Sequence, residues 1–123
     1  MILVDTSVWI DFLRHGDDRL AGLLERSSVL VHPCVIGELA LGNLRNRHEV
    51  LGLLRNLPKA VVAEHDEVFL LIDDRRLHGR VIGYVDAQLL AAARLTPDTA
   101  LWTRDKRLTR LAAGLDVSFE PTP

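Results

Sequence analysis

Four acidic residues, Asp5, Glu38, Asp86 and Asp105, each lie near the start of a predicted helix or within its first turns. Asp5 directly follows the apolar run 2–4, which is typical of a buried parallel strand. Ligands of open α/β sheets bind at the carboxyl ends of the strands, which is where Asp5 is expected. Carboxylate oxygens are the ligands that Mg²⁺ and Mn²⁺ prefer. If the four carboxylates converge on one crevice, they predict a divalent-metal site.

Each of these residues also has a purely structural interpretation. Asp5 and Asp105 occupy positions where an acidic residue caps a helix, and the negative charge of Asp86 in a first helical turn would interact favourably with the helix dipole. Glu38 is surrounded in sequence by apolar residues, where an ionised carboxylate is costly unless it binds a cation, pairs with an arginine or lies on a narrow solvated stripe. We favour metal binding because the strand-end placement of Asp5 recurs at Asp105.

Hydroxyl residues accompany the two strand-end carboxylates. Thr6 and Ser7 follow Asp5, and Thr103 precedes Asp105 by two positions. These hydroxyls would either cap the helices or orient the metal-binding carboxylates by hydrogen bonds. Carboxylates crowded together raise one another's pKa values, so a bound cation would keep them ionised. No histidine is placed as an evident general base, which favours metal-activated water as the nucleophile.

Composition limits the other possibilities. The chain of 123 residues predicts a single domain, 1–123, and its 48% hydrophobic and 26% charged residues are typical of a globular protein. Its one cysteine, Cys34, excludes an internal disulfide and suits a reducing cytoplasm, and no apolar run is long enough for a membrane helix. Phosphate-binding glycine loops and the nucleophile elbow of hydrolases are absent from the sequence.

The net charge of −2 indicates no global attraction to nucleic acid, but basic residues cluster near the acidic positions. The candidates for holding a polyanion beside the carboxylates are Arg76, Arg80, Arg104 and Arg107. A solvated helix face is the alternative explanation for each of them.

The apolar periodicity predicts strands that alternate with helices, which is typical of an α/β fold with a parallel sheet. The predicted strands cover 2–4, 29–31, 60–62, 100–102 and 117–119. The predicted helices begin near residues 7, 17, 33, 49, 68, 84 and 105, and the segment 121–123 is expected to be irregular.

Four segments in this order resemble PIN-domain ribonucleases, and in particular the VapC-type toxins of bacterial toxin–antitoxin pairs. They are Asp5–Leu13, Gly37–Leu39, Gly83–Asp86 and Thr103–Leu108. The resemblance covers nearly the whole chain.

The resemblance implies a three-layer α/β/α domain with a central parallel sheet. It also implies that Asp5, Glu38, Asp86 and Asp105 gather around Mg²⁺ or Mn²⁺, with Thr6 or Ser7 and Thr103 as supporting hydroxyls. Metal-dependent cleavage of structured RNA such as tRNA or rRNA, a homodimer and a cognate antitoxin would follow. Some relatives carry a further acidic residue after the fourth position, where this chain has Lys106, so the number of metal ions stays open. The alternatives are a catalytically inactive PIN-like module that binds RNA or protein and, more distantly, a phosphatase.

Overall fold

A computed structural model describes residues 1–121, and within them strands and helices alternate along the chain as the periodicity predicts. The strands are β1 (Ile2–Val4), β2 (Val29–Leu30) and β3 (Ala100–Trp102). The helices are α1 (Thr6–His15), α2 (Asp18–Glu25), α3 (Pro33–Leu41), α4 (Arg47–Arg55), α5 (His65–Asp74), α6 (Tyr84–Leu95) and α7 (Lys106–Gly114). Residues 122 and 123 of the predicted irregular tail lie outside the described part.

The sheet is parallel, with the order β2-β1-β3, so the first strand of the chain lies in the middle. Leu3 pairs with Leu30 on one side and with Leu101 on the other. The three leucines are at most 5% exposed. The predicted three-layer α/β/α domain is confirmed. Because the strands are parallel, β1 and β3 end at the same edge, which places Asp5 beside the residues that follow Trp102.

The core is built largely on α6, in which every residue from Ala87 to Ala93 is buried. Alanines occupy four of these seven positions, and their small side chains allow close packing. A helix buried on all sides is held in a fixed position by its neighbours, so the first turn of α6, which carries Asp86, is held as well.

Two predicted strands are wrong. The segment 60–62 forms no strand: one isolated parallel bridge joins the preceding Lys59 to Val31, and Val61 and Val62 are exposed. Val61 donates its N–H to Thr96 Oγ1 instead of to a strand. At 117–119 the pairing is again one bridge, from Ser118 to Leu101. Both segments flank the sheet at its edges, where an apolar run finds a partner for only one residue pair.

Helix α5 begins three residues earlier than the apolar pattern predicts. Its first residue is His65, and the backbone N–H of Glu64 donates to Glu67 Oε1 at 2.9 Å. This side-chain cap satisfies a backbone donor that would otherwise have no partner in the helix, and it extends the helix beyond its apolar face. Across residues 1–121 the helices are too short or too polar to traverse a lipid bilayer.

Candidate active site

Asp5 is the centre of the candidate site. It directly follows β1, is 7% exposed, and donates its backbone N–H to Trp102 O at 2.9 Å, which ties it to the end of β3. One carboxylate oxygen accepts from Thr6 N at 2.8 Å. The other accepts from Ser7 Oγ at 2.9 Å and from Thr103 Oγ1 at 2.7 Å. Three donors from two strand ends therefore fix the orientation of one buried carboxylate.

The Thr103 hydroxyl joins the two strand ends. It is 8% exposed, donates to Asp5 and accepts from the backbone N–H of Asp105 at 3.1 Å. Ser7 Oγ accepts from Arg104 N at 3.0 Å, so the turn after β3 is tied to the start of α1 twice. The Ser7 and Thr103 hydroxyls thus contact Asp5, whereas Thr6 donates its backbone N–H to Asp5 and its hydroxyl to Glu38.

Asp105 is exposed and caps α7, as the structural alternative for this residue predicts. Its Oδ1 accepts from Arg107 N at 2.8 Å and from Leu108 N at 3.3 Å. Within residues 1–121 its Oδ2 makes no hydrogen bond. Capping and metal binding are therefore compatible, since the cap uses one oxygen and leaves the other available.

Glu38 corrects one expectation from the sequence. The apolar neighbours suggested apolar surroundings, but the residue is exposed, and Thr6 Oγ1 donates to its Oε1 at 2.6 Å. Val35 and Leu39 of α3 are buried, whereas Gly37 and Glu38 face solvent. Of the alternatives considered for Glu38, a position on a solvated stripe of α3 is the correct one. The burial of this residue therefore gives no argument for a bound cation.

Asp86 is the third residue of α6, and its Oδ2 accepts from Gly83 N at 3.1 Å. Burial raises the pKa of Asp86 above its usual value, the Gly83 N–H lowers it, and the negative charges of Asp5, Asp105 and Glu38 raise it further. Asp5, Asp105 and Glu38 therefore all lie within electrostatic reach of Asp86.

The four carboxylates do not form a closed cage. Among residues 1–121, no three acidic, histidine or cysteine side chains lie close enough to hold one metal ion between them. Like charges repel, and each carboxylate is held by a local donor. The donor set still fits a hard divalent cation, because Glu38, Asp86 and Asp105 each use only one oxygen locally. Their assignment as ligands stays a prediction.

The four arginines predicted to hold RNA differ in their surroundings. Arg76, Arg80 and Arg107 are exposed. Arg104 instead pairs with Asp17 at 2.9 Å and with Asp11 at 3.2 Å, and its guanidinium lies 5.3 Å from the centre of the Trp102 ring. Much of its charge is therefore already compensated within the protein.

Asp17, which the sequence did not single out, is the strongest partner of Arg104. Partial burial acts to raise the pKa of Asp17, but the N–H of Leu20 and the Arg104 guanidinium outweigh it, so that pKa lies below its usual value. The same carboxylate caps α2 through Leu20 N at 3.0 Å. Because Asp17 and Arg104 are 87 positions apart, no local sequence pattern predicts that they pair.

Sequence reasoning also missed a group of residues beside Asp86. Tyr84 and His65 are hydrogen-bonded, and Phe69 lies against both rings. Gln88 lies one turn after Tyr84 on α6 and is only 6% exposed. A glutamine inside an otherwise apolar helical run was a signal for Gln88, whereas the aromatic group becomes visible only when α5 packs against α6.

Comparison with known proteins agrees with this architecture. The PIN domain family matches residues 2–114, and the chain belongs to this family. Two curated relatives, both named Ribonuclease VapC32, come from Mycobacterium tuberculosis strains CDC 1551 / Oshkosh and ATCC 25618 / H37Rv. Each is 53% identical to this chain over 119 residues, which cover 97% of this chain and 96% of the relative. The resemblance to VapC-type PIN domains is thereby confirmed.

Proposed function

We propose that this protein is the toxin of a toxin–antitoxin pair and a divalent-metal-dependent endoribonuclease that cuts structured RNA, such as tRNA or rRNA. The observation that carries the proposal is the Asp5 carboxylate, which is buried at the end of the sheet, held by three donors and within electrostatic reach of Asp86, as Glu38 and Asp105 also are. Membership of the PIN domain family and the similarity to Ribonuclease VapC32 support it.

Asp5, Glu38, Asp86 and Asp105 would hold Mg²⁺ or Mn²⁺. When bound, such an ion lowers the pKa of water and stabilises negative charge on a phosphodiester. The carboxylates themselves would provide hard oxygen donors, and Glu38, Asp86 and Asp105 each keep one oxygen that their local hydrogen bonds do not use. Thr103 and Ser7 fix the orientation of Asp5 within this set.

The remaining residues would position the RNA. Arg76, Arg80 and Arg107 are exposed cations, and they would hold phosphates that the carboxylates alone would repel. Arg104 would contribute through its backbone, which binds Ser7, more than through its paired guanidinium. The family resemblance further supports a cognate antitoxin, a homodimer and action in the cytoplasm as parts of this proposal.

The first experiment incubates purified protein with total RNA in Mg²⁺ or Mn²⁺, with and without EDTA. We expect cleavage that EDTA abolishes. Asp5→Asn should abolish both cleavage and growth arrest on expression while keeping the fold, since asparagine also caps a helix.

Asp98→Asn is the matched control. Asp98 lies at the opposite end of the sheet, where its carbonyl accepts from the amino terminus, and its φ of 51° suits asparagine. Cleavage should therefore persist in this variant. Cleavage by Asp5→Asn would contradict the proposal, whereas RNA that binds but stays intact in either metal would favour the non-catalytic binding module.

A further inference from the structure

Arg104 lies in the turn between β3 and α7, and its side chain contacts three other elements. Its Nε lies 3.2 Å from Asp11 Oδ2 in α1, and its Nη2 lies 2.9 Å from Oδ2 of Asp17, which caps α2. The guanidinium also lies 5.3 Å from the ring centre of Trp102, which is buried at the end of β3. A planar guanidinium carries several donors in a fixed geometry and can hold two carboxylates at once. Arg104 therefore joins α1 and the start of α2 to the end of the sheet.

These contacts make the guanidinium poorly suited to hold RNA. Two carboxylates face one positive charge, so the group as a whole is negative and would repel a phosphate. The Asp17 side chain is only 20% exposed, so its pair with Arg104 is less screened by solvent than a pair on the open surface. The side chain of Arg104 is thus placed to hold the protein's own turn.

The backbone of the same turn supports Asp5. The N–H of Arg104 donates to Ser7 Oγ at 3.0 Å, and the N–H of Asp105 donates to Thr103 Oγ1 at 3.1 Å. Both hydroxyls donate in turn to the same Asp5 oxygen, Oδ2, at 2.9 Å and 2.7 Å. Each hydroxyl has one hydrogen, and accepting from the backbone leaves that hydrogen for Asp5. Two consecutive N–H groups therefore direct two hydroxyls at one carboxylate oxygen.

The position of this turn affects two of the four candidate metal ligands. Asp105 belongs to the turn, and Asp5 receives both of its hydroxyl donors through hydrogen bonds that the turn makes. Hydrogen bonds that orient a metal ligand strengthen metal binding, and their loss costs affinity. Whatever holds the turn against α1 consequently also holds the geometry around Asp5.

We infer that the ion pairs of Arg104 with Asp11 and Asp17 position the candidate active site. They hold the turn 103–105 against α1, so that the backbone of the turn directs two hydroxyls at the Asp5 carboxylate. All three are positioning residues, since each acts through the turn and not by contact with RNA or metal. The catalytic consequence rests on the proposed ribonuclease function, whereas the holding of the turn does not.

The first test compares Asp17→Asn with Asp18→Asn by NMR-detected hydrogen exchange of the metal-free protein. Asparagine keeps the α2 cap but removes the charge that Arg104 pairs with. Asp18 is the next residue and is exposed, so Asp18→Asn is a matched control for the loss of charge. The backbone N–H groups of Arg104 and Asp105 should exchange roughly 2- to 5-fold faster in Asp17→Asn and close to the wild-type rate in Asp18→Asn. Neither metal nor RNA enters this measurement.

The second test separates positioning from RNA binding by steady-state cleavage and by Mg²⁺ affinity. Arg104→Gln should lower kcat and Mg²⁺ affinity roughly 10- to 100-fold, with KM changed less than about 3-fold. Arg104→Lys should be impaired in the same way, because an ammonium cannot reproduce the fixed geometry that spans two carboxylates, although it still binds phosphate. Arg110→Gln is the control: Arg110 is exposed on α7 and takes no part in this group of contacts, so kcat should stay near the wild-type value.

Unchanged exchange of both N–H groups in Asp17→Asn would overturn the inference, and so would wild-type kcat in Arg104→Lys. If Asp17→Asn lowered KM and left kcat unchanged, the freed guanidinium would be a contact for RNA, which also contradicts the inference. If the wild type cleaves no RNA in either metal, the proposed function fails. Faster exchange in Asp17→Asn alone would even then support the holding of the turn by the ion pairs.

Discussion

Thr103→Val removes the hydroxyl that connects the ends of β1 and β3 while preserving the shape of the side chain. Thr103 is buried, donates to Asp5 Oδ2 at 2.7 Å and accepts from Asp105 N at 3.1 Å. Valine can replace neither bond. The variant therefore weakens the positioning of two of the four carboxylates through one substitution.

The expected loss of stability follows from these two bonds. A hydrogen bond to a charged group contributes about 1.5–3 kcal/mol to stability, and a bond to a neutral backbone group about 0.5–1.5 kcal/mol. Ser7 and the N–H of Thr6 still bind Asp5, so we expect about 2–4 kcal/mol in total and a variant that still folds. Because a ligand that loses its supporting hydrogen bond binds metal less well, metal affinity should fall roughly 10- to 100-fold.

Urea-induced unfolding, followed by tryptophan fluorescence, measures the free energy of unfolding, and a thermal titration with Mg²⁺ measures the metal response. Thr99→Val is the matched control: the Thr99 hydroxyl donates only to Pro97 O at 3.0 Å in an exposed segment before β3. It should change stability by no more than about 0.5 kcal/mol. If Thr103→Val behaved like Thr99→Val in both measurements, the hydroxyl would not position Asp5.

Asp17→Asn keeps an α2 cap but removes the charge that Arg104 pairs with. Because the pKa of Asp17 is lowered in the folded protein, its ionised form stabilises the fold above the usual aspartate pKa, and this contribution is lost as the pH falls through the lowered pKa. The free energy of unfolding of the wild type should therefore fall more in acid than that of the variant. Parallel curves of this free energy against pH would contradict the prediction. Asp86→Asn should raise the melting temperature of the metal-free protein, because it removes a charge that burial and the neighbouring carboxylates disfavour, and it should reduce the rise that Mg²⁺ causes. A lower melting temperature of the metal-free variant would contradict this reasoning. Arg76→Ala combined with Arg107→Ala should weaken RNA binding and flatten its salt dependence, measured as affinity against salt concentration, and an unchanged slope would assign both residues to the solvated surface.

Local patterns were sufficient for the secondary structure wherever periodicity and caps agreed. The run 2–4 forms β1, and the strand at 100–102 forms β3 with the predicted bounds. The runs 60–62 and 117–119 were also predicted as strands, yet 60–62 only follows a bridge at Lys59, and 117–119 pairs through one bridge at Ser118. An apolar run becomes a strand only if a neighbouring strand offers successive partners, and that depends on the position of the run in the sheet rather than on its own residues.

The sequence by itself determined the acidic positions, the hydroxyls beside Asp5 and Asp105, and the alternation that makes the sheet parallel, because strand ends and helix starts are short-range features. The tertiary structure alone decided that Thr103 binds Asp5, which is 98 positions away in the sequence. It also decided that Glu38 faces solvent and that Arg104 forms an ion pair with Asp17. It also brought Tyr84 to His65 and buried Gln88 with its carbonyl unpaired. These outcomes depend on how β1 lies against β3 and how α5 lies against α6, and no local pattern encodes the distance between residues that only packing brings together.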